Sequence, residues 1–268
     1  MSSQVGYKSN SARHDERDVI DILGVPVDRI DMAETLARIK DFIASGRPHR
    51  HVVVNASKFV MMRQDNRLAR AIRSCDLVNA DGQSVVWASR FTGTPLPERV
   101  TGIDLMLELL RQSSNQGYRV YFLGAHKETV AKVVDSCQSK FSGLQVAGWH
   151  SGYFDASEEQ LILADIRSTQ PHILFVALGS PYQEYWLESH QAELDVPFSM
   201  GVGGSFDVLA GELRRAPLWM QKRGLEWLFR LLQEPTRMWQ RYLTTNLMFA
   251  WLVWKEVIRS GHDSPKAQ

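Results

Sequence analysis

Residues 171–179 read Pro171-His172-Ile173-Leu174-Phe175-Val176-Ala177-Leu178-Gly179, an apolar run of strand length that ends at a glycine. A helical pattern from Tyr182 to Gln191 follows it. The same sequence of apolar run and then helical pattern recurs at His51-Val52-Val53-Val54-Asn55, 76–82, 119–124 and 196–207. Strands that alternate with helices predict an α/β domain with a largely parallel sheet.

The helical patterns between these runs set the expected organisation of the chain. A single helix is predicted from Ser57 to Ser74, a second from Gln83 to Arg90, and a third from about Lys127. Thr101 or Asp104 is expected to cap a further helix. We predict a flexible leader at 1–18, a catalytic α/β core at 19–211, a helical appendage at 212–260 and a loose tail at 261–268.

Composition narrows the class of protein. The 268 residues are 44% hydrophobic with a formal net charge of +1, which is enough apolar content for a buried core. The first eighteen residues are polar and charged, so no signal peptide is expected, and Cys75 and Cys137 are far apart without a partner motif. We therefore expect a cytoplasmic protein with reduced thiols and no nucleic-acid partner.

The segment 212–259 has an unusual composition. It holds five of the eight tryptophans and nine Lys or Arg against four Glu, and it reads as broken amphipathic helix. Tryptophan and cations together are typical of segments that lie on a membrane surface. Its longest uncharged run, Tyr242 to Trp254, is thirteen residues, whereas a spanning helix needs about 20. The segment therefore either docks on a membrane or packs as an ordinary amphipathic helix on the core.

Polar residues and glycines follow the predicted strands. In open parallel sheets, ligands bind beyond the carboxyl ends of the strands. Glycine lets backbone amides approach a phosphate, and a helix N-terminus adds partial positive charge, so these turns predict a nucleotide-type ligand. The strand ends carry Asn55, Asp81-Gly82, Gly124-Ala125-His126, Gly179 to Glu184, and Gly201 to Asp207.

Each candidate side chain can have either a functional or a structural role. Asp81 can act as a general base towards a substrate hydroxyl, or it can form an Asx turn or helix cap; Asn55 has the same two possibilities. Arg99 can hold a phosphate or be a surface charge. Gln183 and Glu184 can point at a ligand or form a plain first helical turn.

Several enzyme classes lack their motifs in this sequence. The turn Gly201-Val202-Gly203-Gly204 has no third glycine and no later acid, so it is interpreted as a tight turn and not as a dinucleotide fingerprint. There is no Walker loop, no Gly-X-Ser-X-Gly elbow and no Asp-X-Asp motif, and the histidines lack metal-ligand spacing. We expect no metal ion and no other cofactor.

An ordered series of motifs resembles the WecG/TagA/CpsF glycosyltransferases between about Val19 and Tyr242. The motifs are Asn79-Ala80-Asp81-Gly82, Glu98-Arg99-Val100-Thr101-Gly102-Ile103-Asp104-Leu105, Gly152-Tyr153-Phe154, Leu178-Gly179-Ser180-Pro181-Tyr182-Gln183-Glu184, Val202-Gly203-Gly204-Ser205-Phe206-Asp207, Arg215-Ala216-Pro217 and Leu225-Glu226-Trp227-Leu228-Phe229-Arg230. The resemblance implies an inverting, metal-independent enzyme that moves a sugar from a UDP-sugar to a polyprenyl-diphosphate-linked sugar, in bacterial surface or exopolysaccharide biosynthesis. It also implies work at the cytoplasmic membrane face. The expected fold is a Rossmann-like core followed by a C-terminal appendage that docks on the membrane and helps to close the site.

The same resemblance implies roles for individual residues. The general base falls on Asp81, and the arginines that hold the donor diphosphate fall among Arg230, Arg237 and Arg241. Arg237 and Arg241 are four residues apart and so share a helical face, whereas Pro235 is expected to start a new helix after Arg230. The pocket asparagine, arginine and glutamine of the family fall on Asn55, Arg99 and Gln183. The strand ends add Gly124, Glu184 and Asp207 as candidate substrate-binding residues.

One departure from the family pattern leaves the donor sugar open. Where the family commonly has threonine two residues before the strand-end asparagine, this chain has Val53. The donor could carry an N-acetylmannosamine-type sugar or another hexose, such as glucose in xanthan-type assembly. A peripheral membrane protein that binds a nucleotide sugar without catalysis is the alternative from another class. Exposed aromatic residues of the tail could also support a homo-oligomer.

Overall fold

We describe the protein from a computed structural model that covers residues 17–91 and 93–262, and their side chains except at 222, 237, 238, 240–243 and 260–262. Most of the expected leader and tail lies outside this range. Arg17 and Asp18 lie inside it: Arg17 pairs with the buried Asp28 and donates a hydrogen bond to the Cys75 carbonyl (3.1 Å), and Asp18 accepts from Arg29.

The described residues form eight strands and twelve helices. The strands are β1 (Val19–Ile22), β2 (Val25–Asp28), β3 (His49–Val54), β4 (Leu77–Ala80), β5 (Arg119–Gly124), β6 (Gln145–His150), β7 (Ile173–Ala177) and β8 (Phe198–Gly201). The helices are α1 (Met32–Ser45), α2 (Ala56–Gln64), α3 (Asn66–Arg73), α4 (Gln83–Phe91), α5 (Gly102–Gln116), α6 (Lys127–Lys140), α7 (Ala156–Thr169), α8 (Tyr182–Leu194), α9 (Ser205–Leu209), α10 (Leu218–Lys222), α11 (Glu226–Gln233) and α12 (Pro235–His262).

The six strands β3 to β8 form one parallel sheet in the order β4-β3-β8-β7-β5-β6, which confirms the α/β prediction. Strands β3, β4, β7 and β8 are buried along their whole length because helices cover both faces. Strands β1 and β2 form a separate antiparallel hairpin that packs against α3 and β4. The carboxyl ends of β4, β3 and β8 therefore lie side by side at one edge.

Two local predictions can be judged from these bounds. The prediction of a single helix from Ser57 to Ser74 is wrong, because the structure has two helices, α2 and α3, with Asp65 between them. The Asp65 carboxylate accepts hydrogen bonds from the backbone N–H groups of Arg67 and Leu68 and so caps α3. Thr101 caps α5, as one of the two expected alternatives, by accepting from Asp104 N at 3.2 Å.

The long helix α12 begins at Pro235, where a new helix was expected, and it packs against α2. Phe249 is only 3% exposed, and its ring lies 5.4 Å from that of Phe59. The opposite face carries Trp251 and Trp254, which are 51% and 62% exposed. One face of α12 thus covers the core, while the other presents tryptophan to its surroundings. Among the helices of the described ranges, none has a long enough apolar stretch to cross a membrane.

Candidate active site

The candidate site lies where the chain leaves β3, β4 and β8. Asp81 follows β4 directly, and its backbone N–H donates to the Val54 carbonyl at the end of β3 (2.9 Å). Gly82 lies against Asn55, since a Cβ built at Gly82 would be 3.4 Å from the Asn55 Cβ. Arg99 is brought to the same place because the next residue, Val100, donates to the Ala80 carbonyl (3.0 Å). Hydrogen bonds of the backbone therefore place Asp81 and Arg99 together.

The environment of Asp81 keeps its carboxyl easy to protonate. Burial raises the pKa of Asp81 above its ordinary value, and the nearby Glu226 carboxylate raises it further, whereas Arg99, Lys58 and Arg230 act in the opposite direction. A carboxylate with a raised pKa is a stronger base than an exposed one. This is the property that a group needs in order to remove a proton from a hydroxyl.

Arg99 is not a surface charge, because it binds two residues of the appendage. Its Nη1 lies 2.8 Å from the Glu226 Oε2 at the start of α11, and its Nη2 donates to the Gln221 carbonyl in α10 (3.2 Å). Arg215 extends this network, with its Nη2 2.7 Å from Asp104 Oδ1 and its Nε 3.6 Å from Glu226 Oε1. Core and appendage are thus joined by charged groups directly beside Asp81.

Arg230, from α11, lies on the glycine turn that follows β8. Its Nη2 is 2.5 Å from the position that a Cβ would take at Gly204, so only glycine leaves room for the guanidinium there. Asp207 lies beside the same position, with its Oδ2 3.5 Å from that point. Within the described part of the chain, the Arg230 guanidinium has neither a hydrogen bond nor an ion pair. A half-buried arginine in this state suits an anionic ligand.

The other two diphosphate candidates, Arg237 and Arg241, belong to α12, and their side chains lie outside the described residues. Arg230 is on α11, separated from them by the break at Glu234. Their contribution to the site therefore stays a prediction.

Gln183 and Glu184, at the start of α8, contact the turns that carry the site. The Gln183 Oε1 accepts from Gly203 N (3.1 Å), and a Cβ at Gly201 would be 2.5 Å from its Nε2, so the side chain holds the turn after β8 in place. Glu184 pairs with Lys58 Nζ at 2.7 Å and accepts from Ser180 Oγ at 2.8 Å. Both are almost completely buried.

The Lys58–Glu184 pair is charged despite its burial. Burial by itself would raise the pKa of Glu184, but the Lys58 ammonium and the hydrogen bonds from Lys58, Ser180 and Gln183 hold this pKa below its ordinary value. Lys58 also donates to the Val53 carbonyl (2.9 Å), which joins the end of β3 to the start of α8. The buried Lys58–Glu184 ion pair thus connects the end of β3 to the start of α8, next to the loops that carry the site.

Two of the predicted ligand residues serve local structure in this conformation. Asn55 caps α2 by accepting from Lys58 N (3.1 Å), the structural alternative foreseen for it. Gly124 has φ +137°, and a Cβ there would be 2.5 Å from the Ala177 carbonyl, so its lack of a side chain allows β5 and β7 to approach. It lies three strands from β3, or about 14 Å at the usual strand spacing.

The sequence predicts no role for Arg215 and Glu226, which belong to the charged network, or for Lys58, which pairs with Glu184. Arg215 and Glu226 belong to motifs that carried the family resemblance, so a signal was present without a chemical meaning. Lys58 had none, since a lysine in the first turn of a helix is ordinary in sequence. Its partner is 126 residues away, and only the fold brings the two together.

The fold and the site together define a class: an α/β protein with a Rossmann-like parallel sheet, in which a carboxylate with a raised pKa lies close to two arginines beyond the carboxyl ends of the strands. Comparison with known proteins gives the family. Residues 20–263 match the family described as "Glycosyl transferase WecG/TagA/CpsF family". The chain belongs to this family and is a glycosyltransferase, which confirms the resemblance seen in its motifs.

Two relatives show how far the similarity extends. The chain is 35% identical over 181 residues, 68% of its length and 69% of the relative's, to the N-acetylglucosaminyldiphosphoundecaprenol N-acetyl-beta-D-mannosaminyltransferase of Bacillus spizizenii. It is 32% identical over 239 residues, 88% of its length and 89% of the relative's, to the protein of the same description from Staphylococcus aureus strain MW2.

Proposed function

We propose that this glycosyltransferase moves a hexose, of the N-acetylmannosamine type or a related sugar, from a UDP-sugar to N-acetylglucosamine linked to a polyprenyl diphosphate. The acceptor is inferred from the names of the relatives, which specify N-acetylglucosaminyldiphosphoundecaprenol. The observation that carries the proposal is the convergence of Asp81 and Arg99 from the core with Arg230 from the appendage in one cleft.

The proposed reaction is a direct displacement. The Asp81 carboxylate takes the proton of the acceptor hydroxyl, and the hydroxyl oxygen forms a bond to the anomeric carbon of the donor sugar. The bond between that carbon and the β-phosphate oxygen breaks on the opposite face, and UDP leaves with its electron pair. The configuration at the anomeric carbon is therefore inverted.

The leaving diphosphate needs positive charge in the transition state. Arg230 lies against the Gly203-Gly204 turn, and Arg99 lies on the Asp81 side. Arg237 and Arg241 are further candidates on α12. We propose that these groups, with no metal ion or other cofactor, neutralise the diphosphate.

The division of labour in the chain is also a proposal. Residues 19–211 supply the base and the sheet-edge turns, and 212–260 supply Arg215, Glu226 and Arg230 and the exposed tryptophans of α12. An acceptor with a polyprenyl chain is held in a membrane, so the enzyme would work as a peripheral protein at the cytoplasmic face.

The direct test is an assay of UDP release. The full-length protein is incubated with UDP-N-acetylmannosamine, UDP-N-acetylglucosamine or UDP-glucose and a lipid-diphosphate-linked N-acetylglucosamine. Acceptor-dependent UDP release that disappears in Asp81→Asn supports the proposal. Binding of a UDP-sugar without acceptor-dependent release from any donor would instead indicate a non-catalytic nucleotide-sugar-binding protein, and transfer from UDP-glucose alone would change the donor.

A further inference from the structure

Helix α4 of the catalytic core carries an apolar face that the proposed reaction does not use. Trp87 and Phe91 are 52% and 71% exposed and lie four residues apart, so they share one side of the helix. The rest of α4 is well anchored, since Val85, Val86 and Ala88 are buried in the core cluster that also holds Phe59 and Phe249. The exposure of the two aromatic rings is therefore a property of a fixed surface.

This face of α4 continues into the appendage. Gln83, one turn before Trp87, packs against Gly224 at the junction of α10 and α11, where a Cβ on Gly224 would be 2.8 Å from the Gln83 Cβ. On the appendage side of this contact, α10 exposes Leu218 (72%) and Trp219 (56%). Two apolar groups thus lie on elements that meet at one point, directly next to the Asp81 loop.

The charged residues of these two helical segments are all basic. By sequence, 83–91 and 218–223 contain Arg90, Lys222 and Arg223 and no acidic residue. Arg90 and Arg223 are exposed, and the Arg223 guanidinium lies 5.8 Å from the centre of the Trp219 ring. Exposed aromatic rings beside cations favour the headgroup zone of an anionic bilayer, where a ring is partly buried and a cation meets phosphate.

We propose that α4 and α10, through Trp87, Phe91, Leu218 and Trp219, form a lipid-docking surface that inserts into an anionic bilayer next to the active-site entrance. This inference rests on the proposed function, since it supplies the means by which a membrane-held acceptor reaches Asp81. It extends lipid contact from the C-terminal appendage to the catalytic core. From Gln83 to Phe91 the helix rises about 12 Å, so both rings lie on a short helix that begins two residues after the base.

The test compares two double variants in full-length protein. Trp87→Gln/Phe91→Gln removes the core part of the surface, and Trp149→Gln/Leu161→Gln is the matched control, since Trp149 (37% exposed) and Leu161 (72% exposed) lie on β6 and α7 at the other side of the sheet. Binding is measured by co-sedimentation with vesicles of phosphatidylglycerol and phosphatidylcholine. We expect the first variant to lose about tenfold or more in partition coefficient, from the apolar area withdrawn from the bilayer, and the control to bind like the parent chain.

Conservative replacement and two acceptors complete the design. Trp87→Leu/Phe91→Leu keeps the apolar area and should retain most of the vesicle binding. UDP release with a short-chain, water-soluble acceptor analogue should be unchanged in the Gln variant, whereas release with a long-chain acceptor in vesicles should fall. The proposal is overturned if vesicle binding is unchanged in the Gln variant or if the control loses binding to the same extent. It is also overturned if light scattering shows a change in self-association without a change in vesicle binding. If the parent chain transfers no sugar at all, the proposed function fails, but the vesicle measurements still decide the docking surface.

Discussion

Removal of the buried cation at Lys58 should destabilise the whole chain. Lys58 Nζ lies 2.7 Å from Glu184 Oε1, and the two side chains are only 8% and 5% exposed. Lys58→Met leaves the Glu184 carboxylate buried with Ser180 and Gln183 as its remaining donors, and the loss of one partner of a buried pair costs about 3–5 kcal/mol. We expect a loss near the lower limit, since two hydrogen bonds to the carboxylate persist.

Urea unfolding at neutral pH, followed by circular dichroism, measures this loss. With a slope of about 3 kcal/mol/M, the midpoint should fall by about 1 M. The double variant Lys58→Met/Glu184→Gln buries no charge and should recover to within about 1.5 kcal/mol of the parent chain. Arg167→Met is the control, because Arg167 and Glu193 form an exposed pair at 3.2 Å whose loss should cost less than about 1 kcal/mol.

The pH dependence gives an independent check. The folded-state pKa of Glu184 is depressed, so its ionised form adds stability above the unfolded pKa, and this stability is lost as the pH falls through the folded value. The destabilisation by Lys58→Met should therefore shrink in acid, where Glu184 can take up a proton. If the free energy of unfolding falls by less than about 1 kcal/mol at neutral pH, or by an amount that does not change with pH, the pair does not stabilise the fold as a buried ion pair.

Three further predictions concern the cleft. Glu226→Gln removes a charge that raises the pKa of Asp81 and frees Arg99 to approach it, so the acid limb of the kcat/KM profile should move to lower pH; an unmoved limb would exclude this coupling. Asp81→Asn should abolish turnover yet raise the melting temperature at pH 7. Because the folded-state pKa of Asp81 is raised, the free energy of unfolding falls as the pH rises through that pKa, and a neutral side chain removes this loss. A lower melting temperature would show that burial does not destabilise the ionised carboxylate. Gly204→Ala places a Cβ 2.5 Å from the Arg230 Nη2 and should raise KM for the UDP-sugar. Because Arg230 also lowers the pKa of Asp81, its displacement should move the acid limb to higher pH, whereas an unchanged KM would show that Arg230 is not held by this turn.

The parallel sheet was predictable because its strands are buried on both faces and so read as continuous apolar runs. Strand β6 was not assigned, since Gln145–His150 is partly exposed and has no such run. The break between α2 and α3 was missed because Asp65 fits a helical pattern in sequence, and only its capping bonds to Arg67 and Leu68 reveal a new start.

The site was predictable as a set of strand ends, but the contacts among them were not. Asp81 and Asn55 could be placed at one edge of the sheet, since each follows the end of a strand, whereas Arg99 was predicted from its loop and from the family resemblance. The network of Arg99 with Glu226 and Arg215 depends on how the appendage folds back onto the core, and residue spacing carries no information about that contact. The same holds for the cation of Lys58 under the cleft, which was visible only as a polar residue in a helix.

In the proposed reaction, Asp81 of the core and Arg230 of the appendage serve a single substrate. A crystal structure of the full-length protein with UDP measures this directly. We predict that the diphosphate lies on the Gly203-Gly204 turn within hydrogen-bond distance of the Arg230 guanidinium, with the open side of its β-phosphate facing Asp81. UDP bound away from this turn, with Arg230 making no contact to phosphate, would contradict the shared site.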